Sequence, residues 1–277
     1  ETAIYNALMA SLKADASQIA KYSPLEGWRH EGEEQCGMHI NCCNANGPRA
    51  FAMIPQFAYQ VQDDCVRVNF YAPSEAELVL PGKKPVRLKQ TTDYPRTDQI
   101  EIEVDPAKET AFTIALRIPV WSKIAVVSVN GQPQDGVLQG AYLPVNRKWK
   151  KGDRITVKLD LRARLVERNQ AQAIVRGPVV LARDSRFGDG FVDEASVVVS
   201  KDGYVELTPV KTPGFAWLAF TAPMVLGTDL ESNRAPKQIH FCDFASAGNT
   251  WDKTQRYRVW LPKTLNVMHS PYRPYNQ

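Results

Sequence analysis

The chain has 277 residues, 44% of them hydrophobic and 23% charged, with a net charge of +4. That is a globular composition, long enough for two or three cores, and no apolar stretch approaches the length of a membrane span. The basic excess is spread thinly, so a nucleic-acid partner is not indicated.

Residues 1–14 place Ile4, Leu8, Met9 and Leu12 on one face and predict a helix that begins abruptly at residue 1. The opening residues lack the basic and apolar regions of a signal peptide, and the chain is expected to be the later part of a longer catalytic domain. Asp15 to Tyr22 reads as a connection or short hairpin, and Ser23-Pro24-Leu25-Glu26-Gly27 breaks regular structure.

Residues 36–49 carry the chemistry. Cys42 and Cys43 are adjacent, followed by Asn46 and Arg49, with Cys36 and His39 just before them. Adjacent thiols offer soft metal ligands and a nucleophile; the alternative is two buried thiols. Cys36 and His39 either join a metal site or are a buried thiol and a loop histidine. Arg49 offers a planar fork to a carboxylate or a sugar hydroxyl, or else forms an ion pair on a helix surface. Asn46 suits the cap of a following helix, Pro48 its first turn, and Pro55 its end or a kink. Cys65 and Cys242 read as small buried hydrophobes, and five cysteines in this arrangement are not a disulfide framework. The compartment stays open.

From residue 58 the pattern changes to short alternating strands. Val61–Tyr71 reads as a hairpin turning at Asp63-Asp64. Strands follow at Ala76–Leu80, Val86–Thr91, Gln99–Val104, Ala111–Ile118, Ala125–Val129, Ile155–Leu161 and Ala173–Leu181, with turns at Asn130-Gly131 and Lys151-Gly152-Asp153. The run Arg147-Lys-Trp-Lys-Lys151 reads as a solvated strand end and turn. This spacing predicts a mainly β protein built as an antiparallel β-sandwich. A second β region holds Tyr204–Pro209, Trp217–Thr221, Gln238–Phe244 and Arg256–Leu261. The expected divisions are 1–57, 58–182 and 183–277.

Several of these runs resemble glycoside hydrolases of family 127 and their relatives in family 146, the β-L-arabinofuranosidase group. They are Tyr5-Asn6, Tyr22-Ser-Pro-Leu-Glu26 and the Cys-Cys-x-x-Asn-x-x-Arg pattern at 42–49. Through the β region they are Val68-Asn-Phe-Tyr-Ala-Pro-Ser74, Gln90-Thr-Thr-Asp-Tyr-Pro95, Leu116-Arg-Ile-Pro-Val-Trp121, Arg147-Lys-Trp-Lys-Lys-Gly-Asp153, Arg176-Gly-Pro178, Ala247-Gly-Asn-Thr-Trp-Asp252 and Val259-Trp-Leu-Pro262. The resemblance implies antiparallel sandwich domains that follow the last helices of an (α/α)6-barrel catalytic domain, so that residues 1–57 would end that barrel. It also implies a retaining glycosidase acting on an arabinose-containing or pectic glycan. Zinc would be held by Cys42 and Cys43, Cys42 would be the nucleophile, and Tyr22 and Arg49 would bind substrate. The glutamate acid/base and the remaining zinc ligands would lie upstream. Asn44-Ala45 stand where the family has two prolines. The rival reading is a non-catalytic β-sandwich module that binds carbohydrate or serves as structure. Neither a nucleic-acid nor a membrane partner is expected.

Overall fold

The computed structural model describes residues 1–21, 23–31, 42–169, 171–190, 196–198, 200–226 and 236–262. Two compact units emerge: Pro48–Leu161, and Glu1–Gly47 together with Arg162–Gln277. The sequence reading divides the chain at other points, 57/58 and 182/183. No described helix is long and apolar enough to cross a membrane.

In chain order the elements begin with a helical stretch at 2–10 that contains the π-helical turn Ile4–Leu8. Then come β1 (Glu26–Gly27) and α1 (Cys42–Ala58). The first unit contains β2 (Tyr59–Gln62), β3 (Cys65–Val68), β4 (Ser74–Leu80), β5 (Lys84–Thr92), β6 (Gln99–Pro106) and β7 (Thr110–Arg117). It continues with β8 (Val126–Val129), β9 (Gln132–Pro133), β10 (Tyr142–Trp149) and β11 (Asp153–Lys158).

These strands form a six-stranded sheet, in order β4-β5-β6-β11-β8-β9, and a four-stranded sheet, in order β10-β7-β3-β2. Every pairing is antiparallel except β3 with β7. Period-two alternation selects the buried face of each sheet. In β6 it buries Ile100, Ile102 and Val104, and in β11 Ile155 and Val157. From the other sheet β7 buries Phe112, Ile114 and Leu116, and β10 buries Leu143, Val145 and Trp149. Polar bonds tie the two sheets together: Gln90 Nε2 donates to the Tyr59 hydroxyl at 2.7 Å, and Tyr59 meets Ser74 Oγ at 2.8 Å. The outer face of the six-stranded sheet carries a row of alternating charge, Glu75–Lys89–Glu103–Arg154, which keeps it solvated.

The second unit adds β12 (Ala163–Arg168), β13 (Ala171–Arg176), β14 (Val179–Asp184), β15 (Ser196–Val198), β16 (Tyr204–Val205) and β17 (Thr208–Pro209). It ends with β18 (Ala219–Leu226), β19 (Lys237–Asp243), β20 (Tyr257–Arg258) and β21 (Leu261–Pro262). Its main path is β15-β18-β19-β14-β13-β12-β16, all antiparallel. Phe220, Met224, Ile239, Phe241, Val179 and Leu181 are among its core residues. The predicted strand Ala173–Leu181 is in fact two strands, β13 and β14, folded back at Gly177-Pro178; β12 was not anticipated, and of β10 only its end at 147–149 was.

Asn6 docks the opening helical stretch onto this sheet. Its Nδ2 donates to Pro178 O at 2.8 Å and to Thr2 O at 2.7 Å, and its Oδ1 accepts the Val180 N–H at 2.8 Å. The helix buries Asn6 and Ala10, while Ile4, Leu8 and Met9 are half-buried. Polar bonding of an inward amide thus shares the docking with the expected apolar face. The expected short hairpin follows: Leu12 bridges Ile19, and Ala20 N–H donates to Ser11 O at 2.7 Å.

Candidate functional site

The helix bearing the cysteine pair begins six residues earlier than the sequence suggests. α1 starts at Cys42 and runs through both Pro48 and Pro55 to Ala58. Asn46 therefore lies inside the helix and is not its N-cap, and Pro48 is not in the first turn. Asn, Gly and Pro are poor helix formers, so the run Asn44-Ala-Asn-Gly-Pro48 hides the helix from a propensity reading. Proline inside a helix removes one i→i−4 bond; α1 nonetheless continues past each.

Cys42 and Cys43 occupy the first turn of α1. Cys42 is exposed and Cys43 half-buried, and no disulfide joins them. The Cys43 thiol is pushed above its ordinary pKa, first by burial, then by its hydrogen bond to Cys42 and by Cys42's charge. Lys21 acts in the opposite sense on the same thiol. Arg49 is exposed further along α1, beyond the division between the units. Tyr22, Cys36 and His39 lie outside the described residues.

A tetrahedral zinc site takes four ligands, or three and a water. The two thiols supply half of one. Among the described residues, no group of three or more His, Cys, Asp and Glu side chains is placed to hold a metal ion. The donor type suits zinc, and among the described residues the donor number falls short of a complete site. Neither cysteine lines the cleft of about 310 Å³ formed by Asn6, Ala7, Ser11, Ala20, Lys21, Ser23, Leu25, Val180 and Phe244.

The sequence reading missed two polar constellations. Asp189 Oδ2 accepts the His240 N–H at 2.6 Å and lies 3.0 Å from His240 Nδ1, with Phe187 stacked on the imidazole at 5.0 Å. Arg29 is fully buried, its guanidinium between the rings of Phe244 (4.6 Å) and Tyr257 (4.9 Å). Nη1 donates to Ala10 O and Nη2 to Phe244 O. Both constellations pair residues distant in sequence, and no local pattern announces either. Of the other cysteines, Cys242 is buried as expected and Cys65 half-buried.

Residues 65–161 match the family model for the middle domain of GH127 β-L-arabinofuranosidases. No curated protein matches the sequence. Solved structures match in fold. A GH127 β-L-arabinofuranosidase from Geobacillus stearothermophilus T6 aligns with a TM-score of 0.72 at 20% identity, over 92% of this chain and 44% of that one. A second GH127 β-arabinofuranosidase gives 0.76 at 22%, over 94% and 44%. A protein described as a glycoside hydrolase gives 0.76 at 22%, over 95% and 47%. The chain thus spans less than half the length of each. Likeness to that family thus rests on residues 65–161, which match its middle domain, and likeness of fold extends over more than nine-tenths of the chain.

Proposed function

We propose that the intact protein is a retaining glycosidase of the β-L-arabinofuranosidase type, releasing a terminal sugar from plant cell-wall glycans with Cys42 as nucleophile. The observation that carries this reading is the pair of adjacent thiols on the first turn of α1, one exposed and one half-buried, in a chain with a GH127 middle domain. Most retaining glycosidases pair two carboxylates, one attacking and one protonating the leaving group. A thiol can take the attacking role only as thiolate, which is scarce at neutral pH for an unperturbed cysteine with a pKa of about 8.5. Zinc, held by Cys42, Cys43 and ligands outside this chain, would supply deprotonated sulfur.

The Cys42 sulfur attacks the anomeric carbon and forms a C–S bond as the glycosidic C–O bond breaks. The departing oxygen takes a proton from a carboxylic acid that the resemblance places upstream. Water, deprotonated by the same group, then displaces the sulfur and restores the thiolate. Tyr22 and Arg49 are the substrate-binding candidates in this chain. The barrel helices that would wall the sugar pocket belong to the remainder of the polypeptide, so the 277-residue chain alone should not turn over substrate.

The test uses the intact protein and an aryl β-L-arabinofuranoside. Cys42→Ser should retain the fold and lose nearly all turnover, and a haloacetamide-bearing arabinofuranose should label Cys42. Near-normal turnover in Cys42→Ser, or labelling at Cys43 instead, would reassign the nucleophile. Turnover by the isolated chain would overturn the division of labour. Absence of any turnover in the intact protein would favour the non-catalytic module.

A further inference from the structure

Gly47 stands four residues after Cys43 in α1, so the two share one helix face. A Cβ built on Gly47 would lie 2.3 Å from Ile19 Cδ1 and 3.1 Å from Ile19 Cγ2. The first distance is far inside van der Waals contact, so a side chain at position 47 forces either the Ile19 end methyl or the helix to move. Ile19 itself is buried and fixed from behind, by its bridge to Leu12 and by the bond from Ala20 N–H to Ser11 O. Ile19 therefore meets α1 at Gly47, one turn after Cys43 on the same helix face. Glycine is the poorest helix former after proline, and the propensity of α1 gains nothing from it. The close approach of Ile19 gives it a reason.

We propose that Gly47 is a positioning residue for the cysteine pair: its missing side chain lets Ile19 seat the first turns of α1, which turns Cys43 toward the chain and leaves Cys42 outward. A Cβ at position 47 presses on Ile19, and because Ile19 is buried the first turns of α1 give way and Cys43 becomes more exposed. The inference does not depend on the proposed reaction, because its test reads thiol exposure and not turnover.

The experiment is iodoacetamide labelling of the 277-residue chain, with rates resolved by tandem mass spectrometry at each cysteine and Cys65 as internal reference. Alkylation of a covered thiol follows the population of open states. Gly47→Ala should raise the Cys43 rate relative to Cys65 by about fivefold or more, against the direction expected from alanine's better helix propensity. Adding Ile19→Val removes Cδ1, the nearest atom, and should bring the rate back to within about twofold of wild type. A Cys43 rate in Gly47→Ala that is unchanged or slower overturns the proposal, as does a double variant that fails to restore it. Should Gly47→Ala lose its β-rich circular dichroism, the double variant decides: recovery of fold with the wild-type Cys43 rate supports the contact, and no recovery overturns it.

Discussion

Asn130 and Asp153 lock the turn after β8 to the turn that joins β10 to β11. Asn130 ends β8 in the left-handed region, at φ 51°, with Gly131 at φ 80°, the pair that a type I′ hairpin demands. Its Nδ2 donates to Asp153 Oδ1 at 2.8 Å, and its Oδ1 accepts the Arg154 N–H at 2.8 Å. Asp153 Oδ2 in turn accepts the Lys150 N–H at 2.9 Å, closing the turn between β10 and β11.

This lock requires an ionised carboxyl. Burial pushes the Asp153 pKa up, but the Lys150 N–H, the Asn130 amide and the charges of Arg147 and Lys150 outweigh it and hold the group below its ordinary value. A carboxyl whose pKa is lower folded than unfolded stabilises above its unfolded value, and that stability is lost as pH falls through the folded value. Asp153→Asn places a donor where Oδ2 accepts from Lys150, and should cost about 1–3 kcal/mol at pH 7. The difference from wild type in urea-unfolding midpoint should shrink below about pH 4, where the wild-type carboxyl also protonates. A gap that is the same at pH 7 and pH 3 would rule out the ionised role.

Asn6 is expected to be intolerant of its nearest isostere. Asn6→Asp keeps the acceptor for Val180 N–H but replaces the donor to Pro178 O and Thr2 O with a second oxygen. Two carbonyls then face a carboxylate in a buried place, at a cost of about 2 kcal/mol or more. Differential scanning calorimetry should show a lowered Tm, and hydrogen exchange should show earlier opening of residues 2–10. Unchanged protection there would mean that the apolar face alone docks the helix.

Arg29 is a buried cation held by aromatic faces and carbonyls. Desolvation lowers its pKa, while the neighbouring Tyr257, Cys242, Asp243 and Asp184 work against that. The planar fork matters more than the charge, because it reaches two carbonyls while its face stacks between two rings. Arg29→Lys preserves the charge and loses the fork and the stacking, so it should destabilise by about 2–4 kcal/mol. A chemical-denaturation midpoint within error of wild type for Arg29→Lys would show that charge alone suffices.

The strands that sequence disclosed are those with one buried face. Ile100, Ile102 and Val104 alternate with Gln99, Glu101 and Glu103, and the reading found β6 at once. The hairpin at Asp63-Asp64 and the turn at Asn130-Gly131 announced themselves by their residue types, and the basic run at 147–151 is indeed a strand end and turn. β13 and β14 were merged because both are buried on two faces, leaving a continuous apolar run in which only Gly177-Pro178 marks the bend. β12 was missed because half of it is exposed and charged. At the candidate site, the adjacency of Cys42 and Cys43 was plain in the sequence. The helix that carries them was not, since its first residues are turn formers held by contacts such as Ile19 against Gly47. Arg29 sits between polar and aromatic neighbours in sequence, and only the return of β19 and β20 supplies its rings.

Chelation should leave the β structure of this chain intact. Zinc, if bound by Cys42 and Cys43, is held on the first turn of a helix that buries none of its described residues. Both cores draw their apolar area elsewhere: from Ile100, Ile114, Trp149 and Val157 in one unit, and from Val179, Phe220, Met224 and Phe241 in the other. Each fully buried large apolar side chain is worth about 1.5–3 kcal/mol, so sheet packing outweighs any contribution that a peripheral metal could make to these strands. Metal that folds a domain does so because no core exists without it, and that condition fails here. Treatment with a strong chelator should therefore leave the far-ultraviolet circular dichroism unchanged and move the Tm of the main transition by no more than about 2 °C. The same treatment should raise the alkylation rates of Cys42 and Cys43 if they hold zinc. Loss of the β signal on chelation would mean that the metal organises the sheets as well as the thiols.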